Sequence, residues 1–392
     1  MSWDLILALI FYLLIILFYL RNKKKFEVQS GIFFIYRTKI GLKFMDKIAK
    51  KFPGTLKFLE NISITTAFLG MAFIFIFLVV ATIKLILNPS SVPALAPVIP
   101  GIQVSPQLPV LGFWHWIIAI FVIAVVHEFS HGIYSRFHNI KIKSSGFAFL
   151  GPILAAFVEP DEKILEKKSK KSQLAIFSAG PFSNIALFVI ILLISLFVIN
   201  PITSSYLQYD GVKIVSVDKN SPFEAAGLKS GMEITNFNNA EIKNLNDLVI
   251  AINKLKPGKK ISVSSGNETF LVDVAESATN PNGIYLGVTV SPVKIGFKPG
   301  LTSKILGTIF LWLSQLFQWL YIISFGVGLF NLLPIGPVDG GRMFLVVCNK
   351  ITTPEKAKKL WTYITFFCLL LIFINLLPYL IKMFSFFINL FI

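Results

Sequence analysis

Charged side chains and cysteines are both scarce in this sequence. Only 15% of its 392 residues are Asp, Glu, Lys or Arg, whereas soluble domains carry about 25%. Together with a hydrophobic content of 55%, this scarcity indicates that most of the chain has a solvent other than water. The two cysteines, Cys348 and Cys368, predict neither a disulfide framework nor a cysteine-rich metal site, and we interpret them as packing residues.

Acidic residues are few as well, 20 against 37 basic ones, so the net charge is +17. A basic chain can bind nucleic acid, but here the basic residues lie between long apolar runs, as they do in membrane proteins. Arg21–Asn61 holds eleven Lys or Arg and three acids, whereas Asn88–Val110 holds no charge. Basic loops stay in the cytoplasm. We therefore predict a cell-membrane protein with an extracytoplasmic N-terminus, in contact with the lipid bilayer and with no nucleic-acid partner.

Long apolar runs predict the fold class. A membrane helix needs about 20 predominantly apolar residues. Six stretches satisfy this requirement: Trp3–Leu20, Ile62–Leu87, Leu111–Tyr134, Leu174–Ile199, Ile305–Leu333 and Leu360–Leu380. The sequence predicts a multi-pass α-helical membrane protein of about six transmembrane helices. The last run continues past Pro378, either as one tilted helix or as a helix with an interfacial tail.

One region interrupts the membrane pattern. Gly211–Val217 and Lys260–Val263 have the character of strands, and Leu245–Leu255 that of an amphipathic helix. They predict a small α/β domain over residues 201–299, on the extracytoplasmic side by topology. Its segment Ser221–Asn239 resembles the signature of PDZ domains, which bind extended peptides at a sheet edge, although Met232 stands where that signature usually has Asp. The inserted domain would then be PDZ-like, or an inert spacer.

The motif HEFSH, at His127–His131, lies within the third predicted helix. Residues four apart share one helix face, so both imidazoles can converge on one ion while Glu128 stands beside them. This H-E-x-x-H spacing is typical of zinc hydrolases, in which Glu is the general base. Placing ionisable groups inside a membrane costs free energy. A functional role for these three residues is therefore favoured over a packing role. Of the other histidines, His115 is predicted to join an aromatic belt and His138 to be solvated.

A catalytic zinc has three protein ligands as a rule, so a third ligand is needed. Asp339 is a good candidate, because the Pro- and Gly-rich stretch Gly326–Gly341 predicts a broken helix, which at membrane depth occurs only where it is buried or lines a cavity. Asp339 could otherwise cap the helix after the break. Glu159, Asp161 and Glu162 compete as ligands, although a lysine-rich loop favours a solvated surface cluster for them.

Three motifs together resemble the site-2 protease family of intramembrane zinc metalloproteases. HEFSHG at His127–Gly132 is followed by AGPFSN at Ala179–Asn184, similar to that family's G-P-x-x-N motif, and by Asn331–Gly340, similar to its N-x-x-P-x-x-x-x-D-G motif. The order of these motifs around the PDZ-like insert also matches, and the resemblance covers about Leu111 to Arg342. The segment Gly146–Val158 resembles the family's re-entrant hairpin, which could offer an edge strand to a substrate.

The resemblance implies a function and site residues. It implies hydrolysis of peptide bonds within or near transmembrane segments, with one Zn²⁺ held by His127, His131 and Asp339 and with Glu128 as the general base. It also implies that Asn184 stabilises the oxyanion and that Asn331 holds the substrate backbone, although both could instead bond helix to helix. Implied substrates are membrane proteins, single-pass regulatory proteins above all, cut on the cytoplasmic side.

The resemblance and the topology together divide the chain into four parts. Residues 1–110 hold two added helices, 111–200 the first half of the catalytic core, 201–299 the PDZ-like domain, and 300–392 the second half of the core with a C-terminal helix. Two other function classes remain. A transporter also uses broken helices, but it needs no Glu between two histidines. An inactive scaffold would typically lose Glu128 or a ligand.

Overall fold

The computed structural model describes residues 3–29, 33–89, 91–101, 108–150, 153–266, 268–277 and 283–391. Two compact units are present. The first comprises residues 1–104, 110–195 and 315–392, and the second comprises residues 105–109 and 196–314. The catalytic motifs of the sequence all fall in the first unit.

Six helices in the described part of the chain are long and apolar enough to cross a membrane, and the chain is a multi-pass α-helical membrane protein. They are α1 (Trp3–Asn22), α3 (Pro53–Leu87), α4 (Phe113–Phe137), α6 (Lys170–Ile194, continued by a π-turn to Ile199), α10 (Leu301–Phe330) and α12 (Pro354–Phe391). α3 begins nine residues before the predicted start. α12 passes through Pro378 as one continuous helix.

A four-stranded antiparallel sheet belongs to the first unit, and its first two strands were not predicted. The order is β1 (Phe26–Gln29), β2 (Phe33–Thr38), β3 (Ile142–Leu150) and β4 (Ile153–Pro160). The first two strands lie in the basic segment interpreted as a loop, which also holds helix α2 (Leu42–Lys51). The segment that resembles a re-entrant hairpin forms β3 and β4, and β3 is the one described strand that pairs with β4. β4 is therefore an edge strand.

The core of the first unit is formed by α3, α4, α6, α12 and the segments around α11 (Asp339–Ile351), with α5 (Glu162–Glu166) at its margin. Cys348 and Cys368 are free and buried, as their packing role requires. Asn375 of α12 is fully buried. Its amide donates to Thr82 Oγ1 at 2.6 Å and accepts from the Ala94 backbone at 2.9 Å. One polar side chain thus joins α12, α3 and the segment after α3 that contains Ala94.

The second unit contains the inserted α/β region. Its strands and helices, in chain order, are α7 (Asn200–Tyr206), β5 (Leu207–Val217), α8 (Pro222–Ala225), β6 (Glu233–Ile234), β7 (Asn236–Phe237), β8 (Ala240–Glu241), α9 (Leu245–Ile252), β9 (Lys260–Ser265), β10 (Glu268–Asp273), β11 (Ala275–Glu276), β12 (Ile284–Tyr285) and β13 (Val288–Phe297). The strands form sheets β10-β9-β7-β8, β13-β5-β6 and β11-β12. The two predicted strands of this region lie within β5 and β9, and the predicted helix includes α9. α9 ends three residues before the predicted end.

Asn375→Leu is expected to lower the thermal stability of the protein. The substitution leaves the buried Thr82 hydroxyl and the partly buried Ala94 amide without this partner, and such a loss costs roughly 1–3 kcal/mol for a buried group. Thermal unfolding in detergent measures this effect. Tyr363→Leu, at an exposed position of the same helix, is the control and should unfold close to the wild type; equal midpoints for Asn375→Leu and wild type would contradict the assigned role.

Candidate metal centre

Helix α4 brings two imidazoles together. His127 and His131 are one helical turn apart, both are buried, and their Nε2 atoms are 3.1 Å apart. Residues four apart stack on one helix face, so the helix alone produces this convergence. Two ring nitrogens at this separation can share one cation.

Asp339 reaches the same point from a different part of the chain. Its Oδ2 atom lies 3.1 Å from His127 Nε2 and 3.2 Å from His131 Nε2. The chain leaves α10 at Phe330 and enters α11 at Asp339. The N-cap of α11 is Val338, so Asp339 lies in the first turn of the helix and does not cap it.

Two glycines allow that connection. A Cβ atom on Gly340 would collide with the Leu332 main chain, and a Cβ atom on Gly341 would collide with the Ile335 carbonyl. The amide of Gly340 donates to the Asn331 carbonyl at 2.7 Å. The start of α11 therefore packs directly on the broken backbone, and this contact sets the position of Asp339.

The three donor atoms suit zinc. Within the described part of the chain, they form the one group of three or more potential ligands gathered around a common point. A tetrahedral ion with bonds of about 2.0–2.1 Å requires donor atoms roughly 3.3 Å apart, close to the observed separations. Two imidazoles and one carboxylate that leave a coordination position open are typical of a catalytic zinc site.

Gly180 of α6 leaves room at this point. A Cβ atom there would lie 2.6 Å from His127 Nε2 and closer still to His131 Nε2. The backbone of α6 consequently forms one wall of the space between the ligand atoms. Any side chain at this position would occupy that space, which explains the glycine of the AGPFSN motif.

The far sides of both rings also meet polar groups. His131 Nδ1 lies 2.6 Å from the Ile176 carbonyl oxygen, and His127 Nδ1 lies 3.1 Å from the Asn184 amide. Metal-ligating histidines almost always bond their second nitrogen in this way. Both partners are supplied by α6, one turn before and one turn after Gly180.

Glu128 points toward the edge strand. The Val158 amide of β4 donates to Glu128 Oε2 at 3.0 Å. Because this amide bonds outside the sheet, Val158 presents its N–H on the side of β4 that faces away from β3. A main-chain donor therefore fixes the carboxylate beside the histidines.

A cavity of about 390 Å³ contains these groups, and its lining includes His127, Glu128, His131, Asn331 and Asp339. Asn331 is half-buried, and its amide donates to the Val327 carbonyl at 3.0 Å. β4 also lines the cavity, from Phe157 to Pro160. The cavity thus contains potential ligands, an acid and a strand edge.

The three competing acids have other partners. Glu159 pairs with Arg37 and accepts from Ser144 at 2.7 Å. Glu162 pairs with Arg342 at 3.1 Å. Asp161 caps α5. None of the three belongs to the His127–His131–Asp339 cluster in the described residues, where Asp339 supplies the carboxylate.

The prediction for His138 is wrong. Its side chain is only 15% exposed and lies 3.7 Å from the buried Glu60 carboxylate of α3, and burial lowers its pKa. The sequence predicted a solvated side chain because His138 lies in the basic region that follows the third predicted helix. His115 is buried near the start of α4.

Three groups at the centre had not been assigned from the sequence: Gly180, the Ile176 carbonyl and the Val158 amide. The AGPFSN motif marked the first but gave no spatial reason for it. The Ile176 carbonyl and the Val158 amide are main-chain groups. Residue types do not distinguish such groups, so the sequence contained no signal for them.

Comparison with known proteins identifies related sequences. The sequence profile described as Peptidase family M50 matches residues 115–373 of this chain. An uncharacterized protein of Methanocaldococcus jannaschii is 31% identical over 344 residues, 86% of this chain and 82% of that protein. A Clostridium acetobutylicum protein, whose name describes a candidate zinc metalloprotease, is 23% identical over 61% of this chain and 82% of its own length. Zinc metalloprotease RasP of Shouchella clausii is 27% identical over 48% of this chain and 54% of its own length.

Gly180→Ala is expected to abolish zinc binding, since the added methyl group would lie between the ligand atoms. Elemental analysis of the purified protein measures the zinc content. Gly326→Ala is a matched control, because this glycine of α10 has open space where a Cβ atom would lie, and it should keep wild-type zinc. A zinc-loaded Gly180→Ala protein would show that the ion binds elsewhere.

Proposed function

We propose that this chain, which belongs to peptidase family M50 and is a zinc metalloprotease, hydrolyses peptide bonds within or near transmembrane segments of other membrane proteins. The observation that supports this most strongly is the convergence of His127, His131 and Asp339 within 3.2 Å of one another in a membrane protein. Glu128 lies in the same cavity, so an acid–base group accompanies the ligands.

His127 Nε2, His131 Nε2 and Asp339 Oδ2 would hold one zinc ion. Bound zinc supplies a Lewis acid and makes hydroxide accessible near neutral pH. The protein contributes rigidity. Both rings are anchored by α6 through their Nδ1 atoms, and the aspartate by the packing of Gly340 and Gly341. Preorganised ligands of this kind need little rearrangement during the reaction.

Glu128 is the proposed proton carrier. As general base it takes a proton from the attacking water, and as general acid it passes that proton to the departing amine. The Val158 amide holds one of its oxygens at 3.0 Å and thereby orients the other toward the cavity. Proton transfer by a positioned carboxylate typically contributes 10²–10⁴-fold to a rate.

The edge strand β4 is the proposed binding site for the substrate backbone. All backbone groups of a membrane helix are bonded internally, so a scissile peptide must unwind and find new partners. A strand edge offers such partners. β4 lines the cavity, and one of its edges pairs with no described strand. Asn331, which also lines the cavity, is proposed to hold the substrate backbone.

The charge distribution supports a membrane orientation. With basic loops in the cytoplasm, the N-terminus and the PDZ-like region are extracytoplasmic, and the catalytic centre lies toward the cytoplasm. Substrates would be single-pass regulatory proteins released by the cut, a process known as regulated intramembrane proteolysis. The PDZ-like region would screen substrates by size or bind a newly formed chain end, and removal of residues 206–298 that leaves cleavage of bulky and trimmed substrates unchanged would count against that role.

Glu128→Gln is expected to keep zinc and to lose turnover by about 10²–10⁴-fold. Asp339→Ala is expected to lose zinc, because a buried ligand is removed. Glu162→Ala should keep zinc and serves as control for the loss of a nearby carboxylate. Zinc analysis and cleavage of a model transmembrane substrate in detergent give both readouts. Zinc that survives Asp339→Ala but not Glu162→Ala would overturn the assigned ligands.

Val158→Pro tests the main-chain donor to Glu128. Proline removes the amide hydrogen but breaks no bond to β3, so the strand should persist. We expect turnover to fall about 10- to 100-fold, the value of one hydrogen bond to a charged group, with zinc retained. Val158→Ala keeps the amide and should stay near wild type. Equal losses in the two variants would instead assign the effect to side-chain packing.

A further inference from the structure

The side chain of Asn184 is enclosed on all sides. It lies in α6, one turn after Gly180, and its exposed fraction is 0%. The hydroxyl of Ser324 in α10 donates to its main-chain carbonyl at 2.8 Å. A Cβ atom on Gly328, one turn further along α10, would lie 3.2 Å from the Asn184 Cβ. α10 therefore confines the amide against His127.

This enclosure is incompatible with a direct contact to the substrate. An oxyanion donor must point at the position where the oxyanion develops, which lies in the cavity. Asn184 is not among the residues that line the cavity. Its amide lies 3.1 Å from Nδ1 of His127, on the side of the ring opposite the ligand atom Nε2.

The bond between these two groups has one consistent assignment. When His127 binds a cation through Nε2, that nitrogen offers its lone pair, so the proton of the neutral ring lies on Nδ1. Nδ1 is then a donor and needs an acceptor. Asn184 Oδ1 is buried and has no hydrogen-bond partner. Amide oxygen and nitrogen are assigned from the hydrogen-bond network, and exchanging them gives this oxygen its donor.

His131 provides an internal comparison. Its Nδ1 atom lies 2.6 Å from the Ile176 carbonyl oxygen, a group that can only accept. With the amide of Asn184 turned, both rings donate from Nδ1 to oxygens of α6 and both present Nε2 toward Asp339. One helix would then set the tautomer of both ligands.

We infer that Asn184 is a positioning residue, whose side-chain oxygen accepts the Nδ1 proton of His127 and fixes Nε2 as the metal-binding nitrogen. The inference rests on the proposed zinc site and assigns Asn184 a role different from the oxyanion donor that the family resemblance implied. A partner of this kind typically accounts for 10- to 100-fold in metal affinity.

Zinc affinity of the full-length protein in detergent, measured by competition with a chelator, tests the inference. Asn184→Leu removes the acceptor at similar volume and should weaken zinc binding by about 10- to 100-fold. Asn184→Asp keeps an acceptor but has no donor, so it should bind zinc at least as tightly as the wild type. At saturating zinc, the turnover number of Asn184→Leu should recover to within a few-fold of the wild type.

Two outcomes would overturn the inference. Equal zinc affinity for Asn184→Leu and wild type, with turnover lost at saturating zinc, would indicate a direct role in the reaction. A loss of affinity in Asn184→Asp as large as in Asn184→Leu would show that the amide nitrogen, as a donor, is the group that matters. Ser183→Ala, at the neighbouring position of α6, is the control for a polar change near the site. A wild type without zinc would instead contradict the proposed function as a whole.

Discussion

Three electron-rich atoms are crowded together where α4, α6 and the start of α11 meet. His127 Nε2, His131 Nε2 and Asp339 Oδ2 approach within 3.2 Å of one another. Lone pairs at that distance repel unless a cation or a proton lies between them, and burial strengthens the repulsion. A bound zinc ion would remove this repulsion. α4 supplies His127 and His131 to the cluster, α6 leaves room for it at Gly180, and the segment between α10 and α11 leads to Asp339.

The same features suit the proposed hydrolysis inside a membrane, which has two requirements. The hydrocarbon region of a bilayer contains no water and does not tolerate unpaired backbone groups, yet hydrolysis of a peptide bond requires both. The broken backbone before Asp339 and the edge of β4 line the same cavity, so irregular chain occurs where it is enclosed by protein. Glu128 joins α4 to β4, because it follows His127 on α4 and accepts a hydrogen bond from the main chain of β4.

The parts of this architecture that were predicted from sequence follow from local rules. Apolar length predicts the helices, the four-residue spacing predicts the pairing of His127 with His131, and the glycines and prolines predict the break before Asp339. Long-range contacts were harder. β2 pairs with β3 more than a hundred residues away, and no local pattern encodes that pairing. His138 was misplaced for the same reason, since its partner Glu60 lies on a different helix. The role of Gly180 became clear only from the structure, because a Cβ atom there would collide with His127 and His131.

X-ray absorption at the zinc edge of the purified protein measures whether two imidazoles and one carboxylate bind the zinc. Binding by His127, His131 and Asp339 predicts a first shell of nitrogen and oxygen at about 2.0–2.1 Å, with outer-shell scattering from two imidazole rings and no sulfur. A sulfur shell at about 2.3 Å, which would bring in Cys348 or Cys368, or scattering from a single imidazole, would contradict it.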